Sequence, residues 1–238
     1  MKRILIVGAT SGIGRGLAET YLADGNIVGV TGRREPLLTE ITAPYPGKAF
    51  HRITDITRIP DTITQLQSLV TEMGGMDILV ISSGTGDINP SLDYALEEPT
   101  LLTNILGFTS LADWSFQYFQ QQKAGQIVVI SSLAALRGSA DAPAYNASKA
   151  YQINYAEGLR QKAQRLKLPI AITDVRPGFV DTAMAKGEGL FWVCPVDKAV
   201  KQIRRAIDGR RRKVYVSRRW RLAAILVRNL PEWVWRRI

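Results

Sequence analysis

Apolar residues in this chain fall into short solid runs, separated by longer stretches with helical spacing. The runs Arg3–Val7, Ile27–Thr31, Ala49–Thr54, Ile78–Ser82, Gln126–Ser131, Ile170–Val175 and Lys213–Val216 predict seven strands. Ile4-Leu5-Ile6-Val7 and Ile127-Val128-Val129-Ile130 show no polar alternation. Strands covered on both faces of a parallel sheet read this way. Apolar positions three and four apart predict helices over Ile13–Ala23, Ile59–Met73, Pro99–Gln122, Ala144–Leu166 and Pro195–Ile207. The alternation predicts an α/β, doubly wound (Rossmann) fold: a parallel seven-stranded sheet with helices on both faces. Ligands on such sheets bind beyond the carboxyl ends of the strands.

Two features at the chain ends refine this picture. Met1-Lys2-Arg3 before an apolar run has the look of a signal peptide, but the run stops at Gly8 after four residues. A signal needs about 7–15, so the run is expected to be the first strand. Beyond Ser217 the pattern changes to Trp220, Leu222, Ile225, Leu226, Leu230, Trp233, Val234 and Trp235 interleaved with Arg218, Arg219, Arg221, Arg228, Arg236 and Arg237. Pro231 is expected to split this basic amphipathic extension into two short helices. The expected organisation is therefore one α/β domain over 1–217 and an extension over 218–238.

Composition matters chiefly through where the charge lies. The net charge is +10, yet 13 Lys or Arg stand against Asp208 and Glu232 between Lys201 and Ile238, leaving the remainder near −1. Arg and Trp on one amphipathic segment suit an anionic membrane surface. A helix packed on its own domain or on a subunit partner fits the same pattern, and basic charge also attracts acidic carriers or coenzyme A thioesters. No nucleic-acid-reading motif accompanies the charge, so no nucleic acid partner is expected. One cysteine, Cys194, and one histidine, His51, exclude a disulfide framework and most zinc or histidine chemistry. A reducing, cytoplasmic setting is expected, with membrane association through the tail as the alternative.

The candidate chemistry starts after the first strand. Gly8-Ala9-Thr10-Ser11-Gly12-Ile13-Gly14 joins a strand to a helix. Glycines there permit a tight turn, close approach of backbone to a pyrophosphate, and close helix packing. The helix start offers free N–H groups to phosphate. Gly8, Thr10, Ser11, Gly12, Ile13 and Gly14 are thus candidate cofactor contacts. The second strand ends in Gly32-Arg33-Arg34, with no carboxylate to repel a ribose 2′-phosphate. Arg33 is the expected phosphate contact, assisted by Arg34, which favours NADP(H) over NAD(H). An exposed basic turn is the plainer alternative.

Tyr145 and Lys149 are four residues apart in a helical pattern and so share one face. Ser132 follows the fifth strand, 13 residues before Tyr145. With Gly8/Gly12/Gly14, Asp55-Ile56, Asn104 and Pro177-Gly178, these motifs make residues 1 to about 216 resemble the short-chain dehydrogenase/reductase family, in its compact one-domain branch. The resemblance implies a catalytic set of Asn104, Ser132, Tyr145 and Lys149. It further implies that Lys149 binds the nicotinamide ribose and that Asn104 holds a water linking Lys149 to solvent. Asp55 and Ile56 should flank the adenine. Pro177, Gly178, Val180 and Thr182 should meet the nicotinamide. Ile81-Ser82-Ser83-Gly84 stands where the family often has Asn-Asn-Ala-Gly; Gly84 keeps the close approach, and the Asn contacts are missing, with Ser83 and Gly84 as the implied cofactor contacts.

The implied reaction is hydride transfer between nicotinamide and a small carbonyl or alcohol substrate. A free tyrosine, with pKa about 10, needs neighbouring positive charge to exchange protons near neutrality. Taken singly, Ser132 could end a strand, Asn104 could cap a helix and Tyr145–Lys149 could be a surface pair. A non-enzymatic NADPH-binding sensor is the rival reading, and a sugar-nucleotide epimerase or dehydratase a third. A homodimer or homotetramer through the Pro99–Gln122 and Ala144–Leu166 helices is implied by the resemblance. Met184, Leu190, Phe191 and Trp192 are candidates for an apolar pocket wall, or for core or interface.

Overall fold

The computed structural model describes residues 1–184 and 191–235, apart from the side chain of Arg218. Seven parallel strands form one sheet in the order β3-β2-β1-β4-β5-β6-β7. They are β1 (Arg3–Val7), β2 (Ile27–Gly32), β3 (Ala49–Ile53), β4 (Ile78–Ile81), β5 (Gly125–Ile130), β6 (Ile170–Pro177) and β7 (Lys213–Val216). The doubly wound seven-stranded architecture expected from the apolar runs is present.

The central strand shows why its apolar run is solid. Ile4 and Ile6 belong to one core cluster with Leu17, Tyr21 and Ile203, whereas Leu5 and Val7 belong to the other with Leu66, Phe116 and Phe119. Side chains alternate across a strand, so a strand with helices on both sides presents mostly apolar groups to each. Helices α1 (Gly12–Ala23), α2 (Glu35–Thr42) and α7 (Val196–Asp208) carry the first cluster; α3 (Ile59–Glu72), α5 (Phe108–Gln122) and α6 (Pro143–Arg165) carry the second. Each fully buried Leu, Ile or Phe contributes roughly 1.5–3 kcal/mol.

Two departures from the predicted elements have local causes. Helix α2 is too short to establish a periodic signal; it buries only Leu38, Ile41 and Thr42. The helix predicted from Pro99 begins earlier, as α4 (Tyr94–Leu101), where the Asp93 side chain accepts a hydrogen bond from Ala95 N–H at 2.9 Å. It then widens into a π turn over Leu102–Gly107 before α5. Such turns occur often at functional sites, and this one holds Asn104. The extension forms α8 (Arg218–Asn229) and α9 (Glu232–Trp235) on either side of Leu230-Pro231.

β1 lies between β2 and β4, so the chain turns opposite ways after its two central strands. In sheets of this kind ligands bind at that switch point, beyond the carboxyl ends of the strands. The loops after β1, β4 and β5 meet there.

Candidate active site

The loop after β1 is held tightly by its neighbours. Gly8 N–H and Ala9 N–H both donate to the Thr31 carbonyl at 3.0 Å. Gly8 has a φ of +86°, and a β-carbon there would stand 2.5 Å from Ser83 N. At Gly14 a β-carbon would stand 2.2 Å from the Gly8 carbonyl oxygen. Both glycines are therefore required by close approach, and the start of α1 stays open to a phosphate. Thr182 lies beside this loop, its methyl 3.0 Å from a β-carbon built at Gly12.

Arg34 crosses to the same loop, donating to Thr10 Oγ1 at 2.6 Å and Ser11 Oγ at 3.1 Å. Arg33 is exposed and near enough to Asp55 to act on its charge. Burial pushes the Asp55 carboxyl up, but hydrogen bonds from the Thr57 N–H and hydroxyl, with Arg33 and Arg58, hold it below its usual value. The two arginines thus face different groups. Ile56 is buried against Gly107, and the Ser83 hydroxyl is buried with no hydrogen-bond partner among the described residues.

The four residues of the expected catalytic set converge. Tyr145 and Lys149 lie one turn apart on α6, with the Lys149 ammonium 5.9 Å from the tyrosine ring centre. Burial raises the pKa of the Tyr145 phenol, while a hydrogen bond with Ser132 lowers it. Ser132 Oγ accepts from Ala134 N–H at 3.1 Å, and its hydroxyl favours the ionised form of the Tyr145 phenol. Lys149 is 3% exposed, and burial depresses its pKa to about 8. Its ammonium donates to the Ile130 carbonyl at 3.1 Å and Gln152 Oε1 at 3.0 Å.

Asn104 is wholly buried and ties the π turn to the loop after β4. Its Oδ1 accepts from Thr85 N–H at 2.9 Å, and its Nδ2 donates to the Thr85 carbonyl at 2.7 Å and Ser148 Oγ at 3.0 Å. Gly84 fits beneath this group; a β-carbon there would lie 3.2 Å from Lys149 Nζ.

Four contributors were not singled out from the sequence. Asn146 donates to the Ala134 and Arg137 carbonyls at 2.9 and 2.8 Å, pinning the loop that carries Ser132. Gln152 is 1% exposed and joins Lys149 to the π turn. Its spacing of seven from Tyr145, on one helical face, is a signal that could have revealed it. Arg176 and Asp174 form a buried ion pair at 2.7 Å under the site, and Asp174 accepts from Ser131 Oγ at 2.6 Å.

A family model for short chain dehydrogenase matches residues 2–190. The chain belongs to the short-chain dehydrogenase family. As a member it is an oxidoreductase of a family that binds nicotinamide cofactors. An uncharacterized oxidoreductase of Mycobacterium tuberculosis is 30% identical over 220 residues, covering 87% of this short-chain dehydrogenase and 85% of the relative. A 3-ketodihydrosphingosine reductase of Bacteroides thetaiotaomicron is 28% identical over 184 residues, covering 75% and 65% of the two chains. Among solved structures, a short-chain dehydrogenase from Streptomyces avermitilis superposes with a TM-score of 0.83 at 23% identity, over 95% of this chain and 91% of that one. One from Sphingobium yanoikuyae, in complex with NADPH, gives 0.82 at 22%, over 98% and 97%. At such identities the likeness concerns the fold.

The extension packs beside this site. Trp220 is buried among Gly178, Phe179, Phe191 and Trp192. Arg137 donates to the Val227 and Leu230 carbonyls, and Trp235 Nε1 donates to the Gly138 carbonyl at 3.0 Å. Val180 is buried and bridges to Cys194. Met184, Phe191 and Trp192 are substantially exposed, and Leu190 lies outside the described residues. Among the described residues no group of His, Cys, Asp and Glu could hold a metal ion.

Proposed function

We propose that this protein is an NADP(H)-dependent oxidoreductase interconverting a carbonyl and an alcohol, with Tyr145 as general acid/base. The observation that carries the reading is the buried ammonium of Lys149 one helical turn from Tyr145, 5.9 Å from its ring centre. The cofactor fits the residues present. Gly8 and Gly14 leave no room for side chains on the cradle, and the backbone of Ser83, whose hydroxyl is buried without a hydrogen-bond partner among the described residues, lies against Gly8. The bound dinucleotide supplies or accepts the hydride. Ser132 and Tyr145 hold the substrate oxygen, and Tyr145 passes its proton to that oxygen during reduction. Lys149, charged below about pH 8, favours the phenolate that remains. Tyr145→Phe should lower kcat by about 10²–10⁴-fold while dinucleotide binding persists. Unchanged turnover would refute the assignment.

Arg33 and Arg34, with no carboxylate at the end of β2, support NADP(H). Arg34 is held over the phosphate loop, whereas Arg33 faces Asp55, so Arg34 is the better placed for the 2′-phosphate. Removing it should cost roughly 10–100-fold in kcat/KM for NADPH, the worth of a charged hydrogen bond, and little for NADH. Equal losses would reject this role.

For the substrate, we favour a hydrophobic ketone. Phe191 and Trp192 stand exposed near the site, and the Bacteroides relative is named for reduction of a long-chain ketone. NADPH oxidation with short aldehydes, 3-oxoacyl thioesters and a long-chain 3-ketone tests this; preference for the shortest carbonyls would count against it.

The outer face of α8 supports docking on an anionic membrane. Leu222, Ile225 and Leu226 are 73%, 55% and 63% exposed, and Arg219, Arg221 and Arg228 flank them. No helix among the described residues is long and apolar enough to cross a membrane; the proposed contact is superficial. Cosedimentation with vesicles rich in phosphatidylglycerol, lost on Leu222→Ser/Leu226→Ser, is expected. Equal binding to neutral vesicles, or capture only by an acidic carrier protein, would overturn it. The groove between α5 and α6, about 480 Å³ and lined by Phe116, Tyr155 and Leu159, is the surface we assign to a homo-oligomer contact. A monomer by light scattering would contradict that.

A further inference from the structure

We infer that Gln152 is a positioning residue for Lys149, fixing the place and the charge of its ammonium through an amide anchored on the Asn104 backbone. The inference rests on the Tyr145–Lys149 reading above. Gln152 follows Tyr145 by seven residues and Lys149 by three, so all three side chains leave α6 on one face. Its amide is almost fully buried and both ends are engaged. Nε2 donates to the Asn104 carbonyl at 3.0 Å, and Oε1 accepts from Lys149 Nζ at 3.0 Å.

The chemistry of the partners determines the amide's orientation. The Asn104 carbonyl can only accept and the ammonium can only donate, so flipping the amide would break both bonds. Asn104 is itself immobilised: its side chain grips both backbone groups of Thr85 and the Ser148 hydroxyl. A chain of fixed hydrogen bonds thus runs from the loop after β4, through the π turn, to Lys149.

Lys149 depends on such neutral acceptors. From β5 it meets the Ile130 carbonyl and from its own helix the Gln152 amide, with the backbone at Gly84 beside it on the loop after β4. The titratable group facing it is Tyr145, on its own helix. No carboxylate among the described residues offsets its burial, which alone depresses its pKa. An acceptor held against a buried ammonium favours the charged form. Two of the three ammonium hydrogens are held by Ile130 and Gln152, leaving the third for the phenol or the cofactor ribose.

The test compares full-length wild type with Gln152→Leu, of similar size without an acceptor, and Gln152→Glu, with a stronger one. The titration of Lys149, read by NMR of the labelled side chain and assigned with Lys149→Met, needs no turnover. Gln152→Leu should lower the Lys149 pKa by about one unit, and Gln152→Glu should raise it. In kinetics, the alkaline fall in kcat should move the same way, costing the Leu variant roughly fivefold at pH 8 and little at pH 6, with cofactor KM nearly constant. A Lys149 titration in Gln152→Leu that coincides with wild type overturns the inference. So does a kcat loss equal at every pH, which is what simple loosening of the fold would produce. Should wild type turn over no carbonyl, the acid/base reading falls, and the NMR titration still decides the role of Gln152.

Discussion

Trp220 is packed so closely on Gly178 that a β-carbon at that glycine would lie 2.3 Å from the indole Nε1. The segment beginning Pro177-Gly178 is expected to face the nicotinamide. A residue of the C-terminal extension therefore backs the proposed cofactor site, and α8 is part of its architecture.

This contact predicts a coupled pair. Gly178→Ala should destabilise by about 1–3 kcal/mol, because an aromatic ring in a filled cluster cannot step aside freely. Trp220→Ala should itself cost about 3–5 kcal/mol. The double variant should be less destabilised than the sum by at least about 1 kcal/mol, since the clash disappears with the ring. Urea unfolding measures all three; strict additivity would mean that the ring already yields.

Lys149 predicts a specific pH dependence of stability. Its native pKa, about 8, lies below the usual lysine value of 10.5. Between those limits the unfolded chain binds more protons, so this group's contribution to stability rises with pH. Below about pH 8 both states are charged and the full cost of burial applies. Relative to Lys149→Met, wild type should gain up to about 3 kcal/mol between pH 8 and 10.5. A stability difference flat across that window would show that the ammonium is better solvated than its burial implies.

Asn146 predicts a kinetic effect without direct contact with the reacting atoms. Its amide bonds to Ala134 and Arg137 hold the turn that aims Ser132. Asn146→Ala should lower kcat roughly 10-fold through a misplaced Ser132, with cofactor affinity nearly unchanged. Parallel losses in kcat and cofactor binding would point instead to disruption of α6.

The Asp174–Arg176 pair predicts a stability effect. Both side chains are buried, and Asp174 also accepts from Ser131. Asp174→Ala leaves an unpaired buried guanidinium and should destabilise by about 3–5 kcal/mol. A loss under 1 kcal/mol in denaturant titration would show that water reaches Arg176.

The sequence by itself determined the sheet, because strands covered on both faces read as nearly solid apolar runs, as Ile4–Val7 and Ile127–Ile130 display. It also marked the ends of those strands as the functional edge, through Gly8, Ser132 and Pro177-Gly178. The helical spacing of Tyr145 and Lys149 placed them on one face before any coordinates. Tertiary structure alone decided what depends on distant segments meeting. Helix α2 has too few turns for its periodicity to stand out, and burial against the sheet completes it. The π turn at Asn104 carries no distinct spacing signal. Which of Arg33 and Arg34 reaches the phosphate loop was decided by the path of the backbone after β2. The link from Asn104 through Gln152 to Lys149 joins residues 48 positions apart, and local pattern contains no information about such a bond. The pattern of the extension fits both a surface helix and a packed one. Its position was decided by Trp220, which has a place to bury only because Gly178, Phe179 and Phe191 come together around it.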